Sequence, residues 1–306
     1  MEASSKMQSG LVTVVALAFV LDLLVAEPPK RLHPVALFGQ VVGWFDRPFR
    51  HPVAVGTVLA VTLPLLAAGV VGAVTALAAR FDPRAAVAVA ALALFSTVSL
   101  RMLFETAREV IALTETDIEA ARTAIRALVG RETDGLSAAD LRSGAVESAA
   151  ENLADGLVGP LLGFAIGAQF SLVAGVGAAA YLKAVNTMDS MLGYRSKLVG
   201  TASARLDDLV MWLPARLGAV LLAIAATDPG ALWRARSSAW EPTSPNSGWP
   251  MATLAVATGV RLSKQDAYTL NPSAELPTLR EANSCLRVVG VAGIGAFLAT
   301  GVVVWF

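Results

Sequence analysis

The 306 residues are 55% hydrophobic and only 16% charged, with no net charge and a mean hydropathy of +0.62. Charge this sparse, with the apolar residues gathered in long runs, excludes a disordered chain and a coiled coil and argues against a plain cytosolic globule. A lone cysteine, Cys285, excludes an internal disulfide and a cysteine-based zinc site; two histidines leave little for a His-rich metal site, and no basic excess points to nucleic acid.

Residues 10–26 form a short first span, read as an uncleaved anchor because no small-x-small cleavage site follows. Residues 53–79 are the clearest span, long enough to cross a hydrocarbon core of about 30 Å, with Pro64 tolerated as a kink. Residues 85–100 make a third, opened by Asp82 as N-cap and Pro83 at the first helical position. Residues 102–128 read as an amphipathic soluble helix with Ile111, Ile118, Ile125 and Leu128 on one stripe. Residues 157–180 are apolar but broken by Gly159, Pro160, Gly163, Gly167 and Gln169, and 209–226 carry Pro214 and Arg216. Residues 227–250 and 265–280 read as loops, and 286–306 as a last span ending in Trp305 and Phe306 at interface depth.

Basic residues place the 27–52 and 101–156 loops in the cytoplasm and the N-terminus outside. Lys183, Arg195, Lys197 and Arg205 in 181–208 conflict with five full crossings, so 157–180 is expected to be a re-entrant or broken hairpin. The expected fold is therefore all-α: a polytopic membrane protein with about four to five membrane segments, some broken or re-entrant. Residues 1–306 read as a single membrane-embedded domain, with a cytoplasmic helical insertion at about 101–156 and a polar loop region at about 227–285.

The strongest chemical signal is SAADLRSGAVESAAENLADG, residues 137–156. Ser137 and Asp140 are spaced as a capping box, and Gly156 sits where a helix is expected to end. Glu147, Glu151 and Asp155 stand at i, i+4 and i+8, which stacks three carboxylates on one helical face. Like charges there repel, and a divalent cation such as magnesium would relieve them; the alternative is an exposed acidic face balanced by Arg142. Asn152 shares this segment. In 181–216, Asn186 and Asp189 can face one ligand, Arg205 and Asp208 are placed to pair, and Asp207 and Asp208 must point to different partners. Arg216 lies near membrane depth, either as a functional cation, with a carboxylate of the 189–208 cluster or a substrate phosphate as its partner, or as a snorkelling side chain. Asp22, Glu27 and His33 surround a Pro-fixed turn, with His33 either a structural histidine or a site residue. SPNSGWP, residues 244–250, is a turn whose amides could make an anion nest. The glycines of GVAGIG (290–295) suit helix packing better than dinucleotide binding. No Walker-type loop and no Ser-His-Asp or Cys-His set is present. A polar cluster among broken apolar segments also describes a transporter or a sensor, although no repeat symmetry between halves is evident.

Five stretches, DLLVAEPPKRLHPVALFG (22–39), VESAAENLADGLVGPL (146–161), YLKAVNTMDSMLGYR (181–195), ARLDDLVMWLPAR (204–216) and SPNSGWP (244–250), together resemble the adenosylcobinamide-phosphate synthase family of cobalamin biosynthesis. GRETDG (130–135), Met211-Trp212 and SKQDAYTL (263–270) depart from that family's pattern. The resemblance implies a multi-pass enzyme of the cell (plasma) membrane with its site on the cytoplasmic face. It implies ATP as co-substrate and magnesium, and the joining of adenosylcobyric acid, a corrinoid, to an aminopropanol phosphate by an amide bond. Expected partners are these substrates, membrane lipid and other cobalamin-assembly enzymes, with no nucleic acid. On this reading Glu147, Glu151 and Asp155 are magnesium or nucleotide carboxylates, and Asp189, Asp207 and Asp208 are further catalytic carboxylates. His33, Asn152, Asn186, Arg195, Arg205, Arg216 and Asn246 are expected to hold substrate.

Overall fold

The computed structural model describes residues 2–26, 28, 31, 33–128, 133–194 and 196–306, with side chains from Met7 onward. The helices are α1 (Glu2–Val25), α2 (Pro34–Gly43), α3 (Pro52–Phe81), α4 (Pro83–Thr97), α5 (Leu100–Thr116), α6 (Ile118–Ala124), α7 (Ala138–Leu153), α8 (Gly159–Ala168), α9 (Leu172–Leu192), α10 (Thr201–Val210), α11 (Trp212–Ala225), α12 (Ala231–Ala235), α13 (Gly248–Thr258) and α14 (Leu279–Trp305). A small antiparallel hairpin, β1 (Leu262–Lys264) and β2 (Tyr268–Leu270), sets Ser263 opposite Thr269.

The protein is a polytopic all-α membrane protein. Among the described residues four stretches are long and apolar enough to cross a bilayer: Met7–Val25, Pro52–Phe81, Pro83–Thr116 and Leu279–Trp305. Residues Leu198–Val210 and Trp212–Ala225, bent by 48° at Met211, make a fifth if they form one broken span. At 1.5 Å per residue α3 runs for about 45 Å, more than a hydrocarbon core needs. Its outward side chains, among them Val58, Leu65, Leu66, Val70 and Leu77, are exposed although apolar, as a lipid-facing surface requires.

The chain divides into two compact units: Met1–Ser99, Asp155–Met211 and Phe297–Phe306 in the first, Leu100–Ala154 and Trp212–Ala296 in the second. In the first unit α9 is the hub, packed on α2, α3, α4, α8 and α10. Residues 157–180 form a helical hairpin: α8, a turn at 169–171, and α9 capped by Ser171, whose Oγ accepts from Ala174 N at 3.1 Å. The two helices approach backbone to backbone, and a Cβ on Gly167 would sit 2.3 Å from Ala174 O. At the other end of α9, Met188 and Leu192 join Val42 of α2, Leu59 of α3 and Val199 in a core that Phe38, Phe45 and Phe49 cover.

In the second unit α7 is central, packed on α5, α6, α13 and β1. Its capping box forms as spaced: Ser137 Oγ accepts from Asp140 N, and the Asp140 carboxylate accepts from Ser137 N. Asp82 likewise caps α4 by accepting from Arg84 N. The glycines of 290–295 do pack helices, since Gly293 lies against Leu100 and Gly290 against Phe104, both of α5.

Three expectations are corrected. Residues 102–128 are not one helix: Asp117 takes an extended backbone (φ −154°) and caps α6 through Ala120 N, so the chain breaks and restarts there. Gly156 does not end a helix but lies in a π-helical segment, Ala154–Val158, that runs on into α8. The polar region after 227 is not all loop, because it carries α12, α13 and the β-hairpin, whose second strand falls inside 265–280.

The close approach at Gly167 predicts that Gly167→Ala costs about 1–3 kcal/mol through overpacking, read as a lower thermal midpoint in detergent. Gly69→Ala on α3, where a Cβ meets nothing within 4 Å, is expected to leave the midpoint unchanged. Equal midpoints for the two variants would disprove the tight hairpin.

Candidate functional site

In the second unit, α7 carries its polar residues on buried positions. Ser143, Glu147 and Ser148 are all buried, so each needs an internal partner. Ser143 Oγ donates to Glu147 Oε1 at 2.7 Å and accepts from Ser263 N at 2.9 Å, while Tyr268 OH donates to Glu147 Oε2 at 2.7 Å. Glu147 is thus a clamp between α7 and both strands of the hairpin. Both of its oxygens accept hydroxyl hydrogen bonds, which argues against its role as a primary metal ligand. Nor is it part of an exposed acidic face, and Arg142 pairs instead with Glu115 of α5 at 3.0 Å. Glu151 is half-buried on the same helix; Asn152 Nδ2 donates back to Ser148 O at 3.0 Å. Asp155, half-buried, is the second residue of the π-helical segment and belongs to the first unit. Among the described residues no three His, Cys, Asp or Glu side chains gather as a metal cage.

Arg216 sits one turn into α11 and takes partners from far along the chain. Nη1 donates to Trp212 O at 3.1 Å and Asn246 Oδ1 at 2.5 Å, and Nη2 donates to Pro245 O at 3.0 Å. The guanidinium carbon lies 4.7 Å from the Trp212 ring centre, 5.2 Å from Trp249 and 5.8 Å from Trp240. Each such contact contributes roughly 0.5–2 kcal/mol, which offsets the desolvation of the cation. These partners, two carbonyls, an amide and three indoles, all come from the second unit. SPNSGWP is not an anion nest, because its Asn246 and Pro245 face a cation. Asn246 is buried and holds Arg216 through its side-chain oxygen.

In the first unit, α9 and α10 bring polar groups together. Asn186 and Asp189 share a face of α9, three residues apart. Burial holds the Asp189 carboxyl up at about 6, and the Asp208 charge from α10 pushes in the same direction. Asp189 makes no ion pair among the described residues, and its carboxylate folds over Gly193, whose N–H donates to Asp189 O at 2.7 Å. Asp207 is buried and Asp208 half-buried on α10, in keeping with different partners for neighbouring positions. Arg205 is exposed and makes no ion pair with Asp208 or any other described residue. Lys197 anchors the loop after α9 by bonding Asp46 at 2.7 Å and Met191 O at 3.0 Å. Lys183 lines a cavity of about 50 Å³ whose other walls are almost wholly apolar, including Pro34, Phe38, Val71 and Ala184. His33 is buried and caps α2, with Nδ1 accepting from Val35 N at 3.2 Å. Arg195 and Glu27 lie outside the described residues.

Two groups escaped the sequence reading. Tyr268 lies 121 positions from Glu147, and the indoles of Trp240 and Trp249 come from the segment that carries Asn246. No local spacing announces either contact, although an apolar background makes each Tyr and Trp in a polar loop worth noting.

A family model described as CobD/Cbib protein matches residues 15–290. The chain is 35% identical over 306 residues to a probable cobalamin biosynthesis protein CobD of Methanothrix thermoacetophila, covering 94% of each chain. It is 39% identical over 283 residues to the cobalamin biosynthesis protein CobD of Geobacter metallireducens, covering 87% of this chain and 85% of the relative. With the cobalamin biosynthesis protein CbiB of Salmonella paratyphi B it shares 35% identity over 271 residues, 82% of each. No solved structure matches.

Two expectations follow from the geometry. Glu147→Ala removes the acceptor of two buried hydroxyls, and a loss of about 1–3 kcal/mol is expected, measured as a lower thermal midpoint and poorer accumulation; an unchanged midpoint would refute the clamp. Asp189 is raised from 3.8 to about 6, so the folded state binds more protons than the unfolded one between those values. Its contribution to stability is largest below about pH 4 and is lost as pH rises through 6. Asp189→Asn is expected to be relatively more stable at pH 7 than at pH 4, compared with wild type. Parallel midpoint-against-pH curves for the two proteins would contradict the assignment.

Proposed function

The chain belongs to the CobD/Cbib family, and on that premise we propose that it works in cobalamin biosynthesis as an ATP-dependent amide ligase. In this reading adenosylcobyric acid and an aminopropanol phosphate are joined, with ADP and phosphate released. Support comes from the relatives named for cobalamin biosynthesis and from the sequence resemblance. The single structural observation that carries it is the Asp189–Asp208 arrangement beside Asn186 on α9 and α10.

A free carboxylate is a poor acyl donor. Its oxygen must first take the γ-phosphoryl group of ATP, giving an acyl phosphate and ADP. The amine then attacks the acyl carbon, loses a proton and expels phosphate, so all atoms are accounted for. The amine is protonated near neutral pH, and a base must strip it before attack. An ordinary aspartate is too weak a base for that task; one held at about 6 is better matched. Asp189 is therefore the proposed proton acceptor, and the Asn186 amide on the same face the group that orients the amine. Lys183, on the same helix as Asn186 and Asp189, is the proposed point charge for a phosphate.

Magnesium, when bound with nucleotide, would neutralise phosphate charge. It usually takes only one or two protein carboxylates and completes its shell with phosphate oxygens and water. Asp208, facing another carboxylate, fits such a role because a cation relieves the repulsion. Asp155, in the unit that carries the α9–α10 cluster, stays proposed as a nucleotide carboxylate, and Asp207 as a polar group of the α10 cluster. Glu147 leaves that set because its oxygens are engaged.

The test is conversion of adenosylcobyric acid and aminopropanol phosphate to the amide by membranes containing the full chain, with ATP supplied or withheld. Asp189→Asn is expected to lower kcat about 100-fold or more, the range of general base catalysis, with little change in KM for ATP. Wild-type membranes that form no amide with ATP, or vesicles that accumulate the corrinoid unchanged, would defeat the ligase reading; the second result would favour transport.

A further inference from the structure

Arg216 has more donors than the protein uses. A guanidinium carries five N–H bonds. Three are engaged, two on Nη1 and one on Nη2. Among the described residues no acceptor takes the Nε–H or the second Nη2–H, and no carboxylate lies within ion-pair distance of the group. Beside it, Trp249 Nε1 is also buried without an acceptor among the described residues. Two N–H donors and a full positive charge are therefore left for a ligand, with no negative group supplied by the described residues of the second unit.

The pocket is open to the outside on an apolar side. Trp212 and Trp240, which flank the guanidinium, are 54% and 56% exposed. Leu213, Arg216, Val220 and Ile224 fall on one stripe of α11, and the three apolar members are exposed. The opposite face, with Ala215, Gly218, Ala219 and Leu222, is buried. A lone cation at the start of an exposed apolar stripe, wrapped in indoles, matches the depth at which acyl chains give way to phosphates. A planar fork with two N–H bonds to spare also matches the oxygens of a phosphate better than it matches a point acceptor.

We propose that the Arg216 pocket, walled by Trp212, Trp240 and Trp249, binds the phosphate of a phosphate ester. The phosphate oxygens accept from the Nε–H and the remaining Nη2–H, and the indoles take the adjoining apolar part of the ligand. Two sources share this chemistry: the headgroup of an anionic phospholipid, and a water-soluble phosphate. The pocket uses no residue of the α9–α10 cluster; its lipid arm stands apart from the ligase reading, and its soluble-phosphate arm rests on that reading, in which Arg216 is expected to hold substrate.

The test uses the full-length protein purified in detergent and native mass spectrometry with three separate probes: dioleoylphosphatidylglycerol, dioleoylglycerol and inorganic phosphate. Dioleoylglycerol has the same chains without the phosphate. Wild type is expected to retain phosphatidylglycerol at least tenfold more tightly than Arg216→Gln, with no difference for dioleoylglycerol. Arg216→Lys, which keeps the charge and loses the fork, is expected to fall between them. Retention of phosphatidylglycerol that millimolar inorganic phosphate does not reduce identifies the lipid as the source. Direct retention of inorganic phosphate by wild type, lost in Arg216→Gln, identifies a soluble phosphate. Equal retention of all three probes by wild type and Arg216→Gln overturns the proposal and leaves Arg216 a structural tie to Asn246. If Arg216→Gln does not accumulate, Trp240→Ala decides in its place: phosphatidylglycerol or phosphate held at least threefold more weakly supports the pocket, and equal retention refutes it.

Discussion

A polar group inside an apolar body must find its solvent in the protein, and the second unit is organised around that constraint. Glu147 lies in the middle of α7, a helix buried on nearly every side. Its carboxyl oxygens are satisfied there by hydroxyls that reach it from two directions, Ser143 one turn earlier and Tyr268 from the hairpin. The Ser143 hydroxyl in turn is the acceptor for the Ser263 amide. One carboxylate thereby fixes where β1 and β2 sit on α7. A two-stranded hairpin has little stability by itself, so this one depends on the helix it docks to. The small residues Gly144, Ala145, Ala149 and Ala150 let neighbouring elements come close enough for those hydrogen bonds to form.

The first unit solves a different problem with the same economy of side chains. Lipid gives apolar helices no hydrophobic reason to associate, so close van der Waals contact has to hold them. The α8–α9 hairpin achieves this by removing side chains where the backbones meet, at Gly163, Gly167 and Gly175. The same device recurs at the end of α9, where a Cβ on Gly200 would lie 1.7 Å from Leu192 O. Tight packing at both ends makes α9 a stiff rod. Asn186 and Asp189 ride on that rod, so their geometry is set by packing and not by loop motion, as a site that has to hold its groups in register needs.

Local signals carried much of this architecture. Pro52–Phe81 is legible as a span because residues 52–79 pass without a charge before Arg80, and Asp82-Pro83 is legible as a helix start because capping needs only neighbours. The Ser137–Asp140 box is equally local. The breaks of 157–180 foretold a hairpin because glycine and a short polar turn leave few other options. What was hidden depends on distance along the chain. The break at Asp117 competes with an amphipathic stripe that continues through it, and the stripe dominates any reading of periodicity. The π-helical segment at Ala154–Val158 has no composition of its own. For the site, the α9 residues were legible as polar groups in an apolar setting, yet their spacing could not say that Asp208 faces Asp189. Arg216 was legible as a charge that needs a partner; that its partners are Asn246 and indoles, thirty positions on, was not.

The two polar clusters share an electrostatic logic. Folding usually brings opposite charges together, and the Arg142–Glu115, Arg126–Asp134 and Lys197–Asp46 pairs show that this chain does so where it can. Arg216 and Asp189 are exceptions among the described residues. Arg216 is given dipoles and ring faces, which solvate a cation without cancelling its charge. Asp189 is given burial and a second carboxylate, which make its charge harder to sustain. Both arrangements sacrifice stability that a single opposite charge would recover, and opposite charges are available in the sequence, since lysine and arginine match aspartate and glutamate at 24 each. A fold selected for stability alone would pair them. On the readings proposed above, Asp189 would take a cation or a protonated amine from outside the chain, and Arg216 a phosphate.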